Sequence, residues 1–381
     1  MITEQGCLAR REALWQRIPA EFDTALITAR PHLMYLAGFE ASATVFNSQA
    51  SAASLILTRE GDAVLVADNA QEPFSRAAFV PERGEPLRYR CGEAAPHRGQ
   101  LLGQTTAEWL RSRSKSGLAI EFSHTPWLIL AGMTSGPSPL RLHDLDADLR
   151  ALRKSKHPDE QAQIRECLRV AGEAVAATRR DVRPGMTGLD LYRLVLRVAS
   201  EVAGRPVHVY GDFVSGPGAE AGGGPASNRS VQSGDLVLLD YSVVINGYRG
   251  DFCTTFVCDG TPTSRQREMH AACMAVLESA RTLLQPGRTG RDVYAACRAP
   301  LESAGLGNHF PHHAGHGIGL GHPEPPYLVP ESDERLEVGD VVTLEPGLYI
   351  PGVGGMRFEH NYIVTQEGPE QISHHSLSLD N

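Results

Sequence analysis

Gly234-Asp235-Leu236-Val237-Leu238-Leu239-Asp240 returns, 105 positions later, as Gly339-Asp340-Val341-Val342-Thr343-Leu344-Glu345. Each copy is a Gly-Asp turn followed by an apolar run that is too short for a helix and rich in β-formers. Each therefore reads as a buried strand ending in a carboxylate. Upstream, Pro184-Gly185-Met186-Thr187-Gly188-Leu189-Asp190-Leu191-Tyr192 matches Pro286-Gly287-Arg288-Thr289-Gly290-Arg291-Asp292-Val293-Tyr294, offset by 102. In both copies the Thr can cap a helix whose third residue is the Asp, a variant of the capping box. Two halves, each helix then strand in preserved order, predict a pseudo-symmetric α+β domain built on an internal repeat.

The chain beyond each strand brings more acids back toward it. After Asp240, the Asn246-Gly247 pair between β-forming residues is a two-residue hairpin signal. With that pair as the loop, opposed residue numbers sum to 493, so Asp251 faces Ser242, and period-two alternation sets Asp240 and Asp251 on one face. In the second half Glu345 and Glu359 are equidistant from Gly352, the centre of a Gly-rich loop, so a hairpin there would also join two carboxylates. Four acids on two equivalent hairpins would repel strongly in a core, because an isolated buried carboxylate costs several kcal/mol or more. Divalent cations resolve that repulsion.

Of the 15 histidines, eight fall between residues 309 and 375, and the densest run is His312-His313-Ala314-Gly315-His316-Gly317-Ile318-Gly319-Leu320-Gly321-His322. His316 is the candidate imidazole ligand, since the glycines on both sides let the backbone approach a metal centre closely. His309, His313, His374 and His375 read as ordinary packing or surface histidines.

Outside the repeat, 381 residues exceed the size of one growing core, so two domains are expected. Residues 24–67 alternate short apolar runs with Gly and Pro, the pattern of strands and short connections in an α/β domain. A charged stretch over residues 149–160 leads into a long helical pattern ending near Arg180. The boundary is placed near residue 150, giving domains 1–150 and 151–381. A net charge of -9 without a Lys/Arg-rich run gives a nucleic-acid surface no support. Residues 1–11 carry charges where a signal peptide needs an apolar core, and no stretch approaches a membrane span. Seven cysteines without a Cys-x-x-Cys pair read as reduced thiols, and the expected location is cytoplasmic.

These residues resemble the pita-bread metallopeptidase family, which takes in methionine aminopeptidases, aminoacylproline aminopeptidases, prolidases and the non-peptidase creatinases. The likeness runs over nearly the whole chain. Pro31-His32-Leu33-Met34-Tyr35-Leu36-Ala37-Gly38-Phe39 resembles the small α/β domain of the aminopeptidase P, prolidase and creatinase branch. The resemblance implies Asp240, Asp251, His316, Glu345 and Glu359 as ligands of two divalent cations, with Mn²⁺, Co²⁺ or Zn²⁺ all suited to one imidazole among carboxylates. It further implies proton handling by Glu345, stabilisation of the tetrahedral stage by His312, orientation of Glu359 by Arg357, and a homodimer.

Three departures bear on the substrate. Where peptidase members place a His about eight residues beyond the Ser of Ser215-Gly216-Pro217, this chain has Gly223. The family's second His, seven residues after the ligand, is Pro323 here, and His322 comes one residue earlier as its candidate replacement. The usual Asp-x-Thr-Arg-Thr reads Asp251-Phe252-Cys253-Thr254-Thr255. His208, Tyr210 and Asp212, which alternate before the Gly-rich segment, read as strand packing, with the lining of a remodelled pocket as the alternative. The expected activity is Xaa-Pro aminopeptidase or dipeptidase hydrolysis of a small peptide. The alternatives are hydrolysis of a non-peptide amide, as in creatinase-like relatives, and a binding protein that kept the fold without catalysis.

Overall fold

The computed structural model describes residues 1–40, 53–67, 72–84, 94–133 and 141–381. Cys91 and residues 41–52 of the strand-rich N-terminal stretch lie outside them. The chain divides into two compact units, Met1–Arg153 and Lys154–Asn381.

The first unit contains α1 (Glu4–Arg17), β1 (Thr24–Ile27), α2 (Arg30–Ala37), β2 (Ala53–Thr58), β3 (Ala63–Ala67), α3 (Glu72–Ser75), β4 (Glu82–Arg83), α4 (Ala94–Arg113), β5 (Leu118–Ile120), α5 (Trp127–Met133) and β6 (Leu142–Asp144); α6 (Asp146–Lys154) runs up to the division. Its mixed six-stranded sheet has the order β4-β3-β2-β1-β5-β6. β1 and β2 are antiparallel neighbours, whereas β1 and β5 run parallel. Leu26, Ile56, Val64, Val66, Leu118 and Ile120 of the sheet pack with Leu102 and Leu110 of α4. Burial on both faces explains why these strands read as near-continuous apolar runs. Pro31-His32-Leu33, which sequence placed among strands, instead opens α2, where Pro fits the first turn.

The second unit begins with α7 (Pro158–Asp181) and α8 (Gly188–Ala203), then β7 (His208–Ser215), α9 (Pro217–Glu220), β8 (Leu236–Ile245), β9 (Tyr248–Gly250) and β10 (Cys253–Val257). The second half follows with α10 (Ser264–Arg281), α11 (Gly290–Ser303), β11 (Gly315–Gly317), β12 (Glu324–Leu328), β13 (Val341–Leu344), β14 (Gly347–Ile350), β15 (Gly354–Arg357), β16 (His360–Thr365) and β17 (Gly368–Gln371). The sheets are β10-β8-β7 with β9 on β8, β12-β11-β13-β16-β17, and the β14-β15 ribbon.

The internal repeat is visible in detail. Thr187 and Asp190 form a full capping box on α8, and Thr289 and Asp292 form the same box on α11. The Gly185 amide donates to the Val231 carbonyl, and the Gly287 amide donates to that of Leu336, the residue 105 positions beyond Val231. Leu236 and Leu238 of one half share a core with Val342, Leu344 and Phe358 of the other, roofed by Met269, Cys273, Val293 and Cys297. The six described cysteines are free and buried. This is the pita-bread fold that the resemblance implied.

Candidate metal centre

Asn246 and Gly247 both take positive φ, 53° and 78°, as a type I′ turn requires. The hairpin they close pairs Ile245 with Tyr248 and Val243 with Gly250, and β10 keeps the same register with Cys253 opposite Asp240. Asp251 therefore faces Ser242, whose hydroxyl donates to its Oδ1 at 3.3 Å. One feature differs from expectation. Asp240 does not end its strand but is the fifth residue of ten in β8, because the tight turn prolongs the ladder to Ile245.

The second hairpin holds a single register as well. Gly347 pairs with Arg357, and across the break Leu344 pairs with His360. Both pairs are centred on Gly352, so Glu345 and Glu359 face each other in the gap between the two ladders. Glu345, Glu359, Asp251 and His316 are buried, at 7%, 1%, 3% and 4% exposure, which rules out a solvated role for these charges.

The side chains converge. Ligand atoms of Asp240, Asp251 and Glu359 lie within 4.8 Å of one another. His316 Nε2 stands 3.5 Å from Asp251 Oδ2 and 3.4 Å from Glu345 Oε1. Its Nδ1–H donates to the Gly317 carbonyl at 3.0 Å, which leaves Nε2 with a free lone pair toward the acids. The flanking glycines act differently from expectation: a Cβ at Gly315 would lie 2.0 Å from Thr343 O, and one at Gly317 2.1 Å from Pro325 O. They admit neighbouring backbone, which fixes the direction of the imidazole.

Arg357 is the cation of the cluster. Its Nε donates to Asp240 Oδ2 at 2.6 Å, NH1 to the Tyr349 hydroxyl at 2.6 Å and to Gly222 O at 2.9 Å, and NH2 to Asp212 Oδ2 at 3.0 Å. It thus reaches Asp240, not Glu359 as the sequence reading had it; their backbones are two residues apart, but the guanidinium extends across to β8. His322 donates from Nε2 to Asp251 Oδ2 at 2.7 Å, so the earlier position in the loop still delivers an imidazole to the site. His312 donates from Nδ1 to His313 O at 2.8 Å, and its Nε2 is 3.2 Å from the Tyr349 hydroxyl. His313, read from sequence as bland, lies 3.4 Å from Glu345 Oε1. Tyr349 went unnoticed in the sequence because a Tyr in a strand carries no signal of its own.

Electrostatics separate the acids. Burial alone would raise Asp251, but the hydrogen bond and charge of His322, with His316 beyond, bring it to about 2. Burial, with Asp240 and Asp251 adding to it, pushes Glu345 up to about 7 against the opposing pull of His313. Burial and then the charges of Asp251, Glu345 and Asp240 hold Glu359 well above the carboxylate range. Burial keeps His312 neutral, at about 4.

These residues fit a pair of divalent cations. Glu359 Oε1 is buried without a hydrogen-bond partner, and of the four clustered acids Asp240 alone bonds the Arg357 guanidinium. Hard oxygen donors with one imidazole form a suitable set for Mn²⁺, Co²⁺ or Zn²⁺. Above them opens a cavity of about 510 Å³, lined by Asp212, Asp240, Asp251, His312, His313, His316, His322, Glu345, Tyr349 and Arg357 among others. Of the alternating β7 candidates, only Asp212 faces it; Tyr210 is 54% exposed and stacks with His208.

Fold and site together define a carboxylate-rich metallohydrolase on a duplicated α+β frame. The comparisons place it further. The profile of metallopeptidase family M24 matches residues 162–366, and the chain belongs to that family of metallopeptidases. It is 28% identical over 362 residues to the uncharacterized peptidase YqhT of Bacillus subtilis, covering 94% of this chain and 95% of that protein. Among solved structures it is similar to an Xaa-Pro dipeptidase from Bacillus anthracis, with a TM-score of 0.81, 24% identity and 99% of each chain covered. It is also similar to the dipeptidase PepE from Mycobacterium ulcerans, with a TM-score of 0.75, 25% identity, and 99% of this chain and 98% of that one covered. No helix among the described residues is long and apolar enough to cross a membrane.

Proposed function

We propose that this chain is a dinuclear-metal-dependent peptidase of the Xaa-Pro dipeptidase or aminopeptidase kind, acting on small peptides in the cytoplasm as a homodimer. The observation that carries the dinuclear reading is the unpartnered Glu359 oxygen at the floor of four clustered acids. Asp240, Asp251 and Glu359 would hold one cation, and His316, Glu345 and Glu359 the other. Bound there, the cations lower the pKa of water and polarise the scissile carbonyl.

The chain's own groups divide the remaining work. Glu345 takes and returns the proton, being the acid with a raised pKa and the His313 imidazole 3.4 Å away. His322 orients Asp251 through its 2.7 Å bond. Arg357 holds Asp240 and the Tyr349 hydroxyl. His312 has spent its Nδ1–H on a backbone carbonyl, so its Nε2 accepts from Tyr349. We therefore assign His312 to holding the Tyr349 hydroxyl in place beside Arg357, instead of donating a hydrogen bond to the tetrahedral stage. The smaller unit is assigned the role of the branch's creatinase- and prolidase-like N-terminal domain.

Metal-free protein reconstituted with Mn²⁺, Co²⁺ or Zn²⁺ and offered Xaa-Pro dipeptides, Xaa-Pro tripeptides and non-proline peptides tests this reading. Metal-dependent cleavage before proline supports it. Two bound cations without cleavage of any peptide would move the assignment to a non-peptide amide, which Gly223 in place of the pocket His favours. Light scattering that shows a monomer at micromolar concentration would remove the dimer.

A further inference from the structure

Asp212 stands opposite Asp240 in the β7–β8 register, so the two carboxylates share one face of the sheet. The space its carboxylate occupies is the space a side chain at position 223 would need. A Cβ built on Gly223 falls 2.1 Å from Asp212 Oδ2, and Gly223 itself sits at φ 139°, open to glycine. Aspartate at 212, in this position, therefore requires glycine at 223. Arg357 then ties this wall together, with NH2 on Asp212, NH1 on the Gly222 carbonyl and Nε on Asp240.

We propose that Asp212 is a positioning residue for Arg357: by taking the far side of the guanidinium, it keeps Asp240 available as a cation ligand. The inference rests on the metal-centre reading above. The charge balance explains the need. Two divalent cations match the four candidate ligand carboxylates, which leaves Arg357 as a surplus positive charge beside one of them. Without a second carboxylate, that charge leans wholly on Asp240 and competes with the cation. Asp212 supplies the balancing charge from the opposite strand, half-exposed at the cavity wall and within hydrogen-bond distance of NH2. The role is to orient and to neutralise, so Asp212 need not touch substrate.

The test is Mn²⁺ titration of metal-free protein by calorimetry, run on wild type, Asp212→Asn and Asp212→Glu, with peptide kinetics alongside. Asp212→Asn is expected to weaken Mn²⁺ binding about tenfold or more, the usual scale for a group that orients a ligand. It should lower kcat while leaving KM within about twofold, and Asp212→Glu should recover part of the affinity. Gly223→Ala, which displaces the carboxylate, should reproduce the binding loss, and adding it to Asp212→Asn should bring little further change. Unchanged Mn²⁺ affinity with a raised KM in Asp212→Asn would overturn the proposal and make Asp212 a substrate contact. Unchanged affinity and kinetics would reduce it to a wall residue. Failure of the wild type itself to bind Mn²⁺ would remove the metal-centre reading, and this proposal with it.

Discussion

The two carboxylate hairpins are built alike and treated differently. In the first, Asp240 has the Arg357 guanidinium and Asp251 has the His322 imidazole, so each acid carries a protein partner of its own. In the second, Glu359 keeps an oxygen without a partner, and Glu345 has a hydroxyl contact from Thr343 at 3.2 Å and longer approaches of 3.4 Å to His313 and His316. Duplication copied the backbone register, and the side chains then diverged. The acids of the first hairpin are held by the protein's own basic side chains, while on the function proposed above those of the second rely on metal charge.

Asp251→Ala should break this arrangement most completely, because Asp251 stands in two overlapping metal-ligand clusters. Metal-dependent peptide cleavage should fall by about 10³-fold, which is roughly 4 kcal/mol of barrier. Steady-state kinetics at saturating Mn²⁺ would measure it, and activity within tenfold of wild type would mean that the two hairpins do not share one centre.

His322→Ala sharpens the contrast from the first hairpin's side. Removing the partner that holds Asp251 low should reduce Mn²⁺ affinity about tenfold. Calorimetry reads this directly, and equal affinities would show that the imidazole is only a neighbour.

Glu359→Gln probes the second hairpin through pH. The folded-state pKa of Glu359 is raised, so the folded metal-free protein binds a proton that the unfolded chain has lost, and its ionisation costs stability as pH rises above the unfolded carboxylate range near 4.5. The metal-free variant should therefore gain on metal-free wild type progressively from about pH 4.5 upward. Comparing the two proteins cancels the opposing contribution of buried histidines such as His312. A thermal-melting difference that stays flat with pH would show that Glu359 is not the strained acid.

The smallest effect tests the duplication itself. Thr187→Ala and Thr289→Ala remove equivalent capping boxes, so each should cost about 1 kcal/mol in denaturant unfolding. Unequal losses would mean that the two helix starts have diverged as the carboxylate partners have.

Much of this molecule could be read before its structure was seen. The Gly-Asp strands, the Thr-capped helices and the Asn246-Gly247 turn are local signals, and each fixes a register or a helix start from a few neighbouring residues. The Asp240–Asp251 pairing followed from them, and the Glu345–Glu359 pairing from the Gly-rich loop centred on Gly352. The first pairing survives because a two-residue turn leaves the backbone little freedom, and a one-residue slip would set Asp251 on the opposite face of the sheet from Asp240.

Other features belong to contacts between residues far apart in sequence. Arg357 reaches Asp240 across 117 positions and Asp212 across 145, and neither pairing is marked in the chain. His322 finds Asp251 although its spacing departs from the expected one, because the loop path sets where an imidazole points. Tyr349 joins Arg357 to His312, and His313 reaches Glu345, through side-chain directions that no periodicity encodes. The sequence by itself determined the repeat, the strand registers and the residues able to hold cations, since these follow from local backbone chemistry and patterning. Only the tertiary structure decided which acid receives a protein cation and which is left needing a metal, because that depends on which long side chain crosses the cavity.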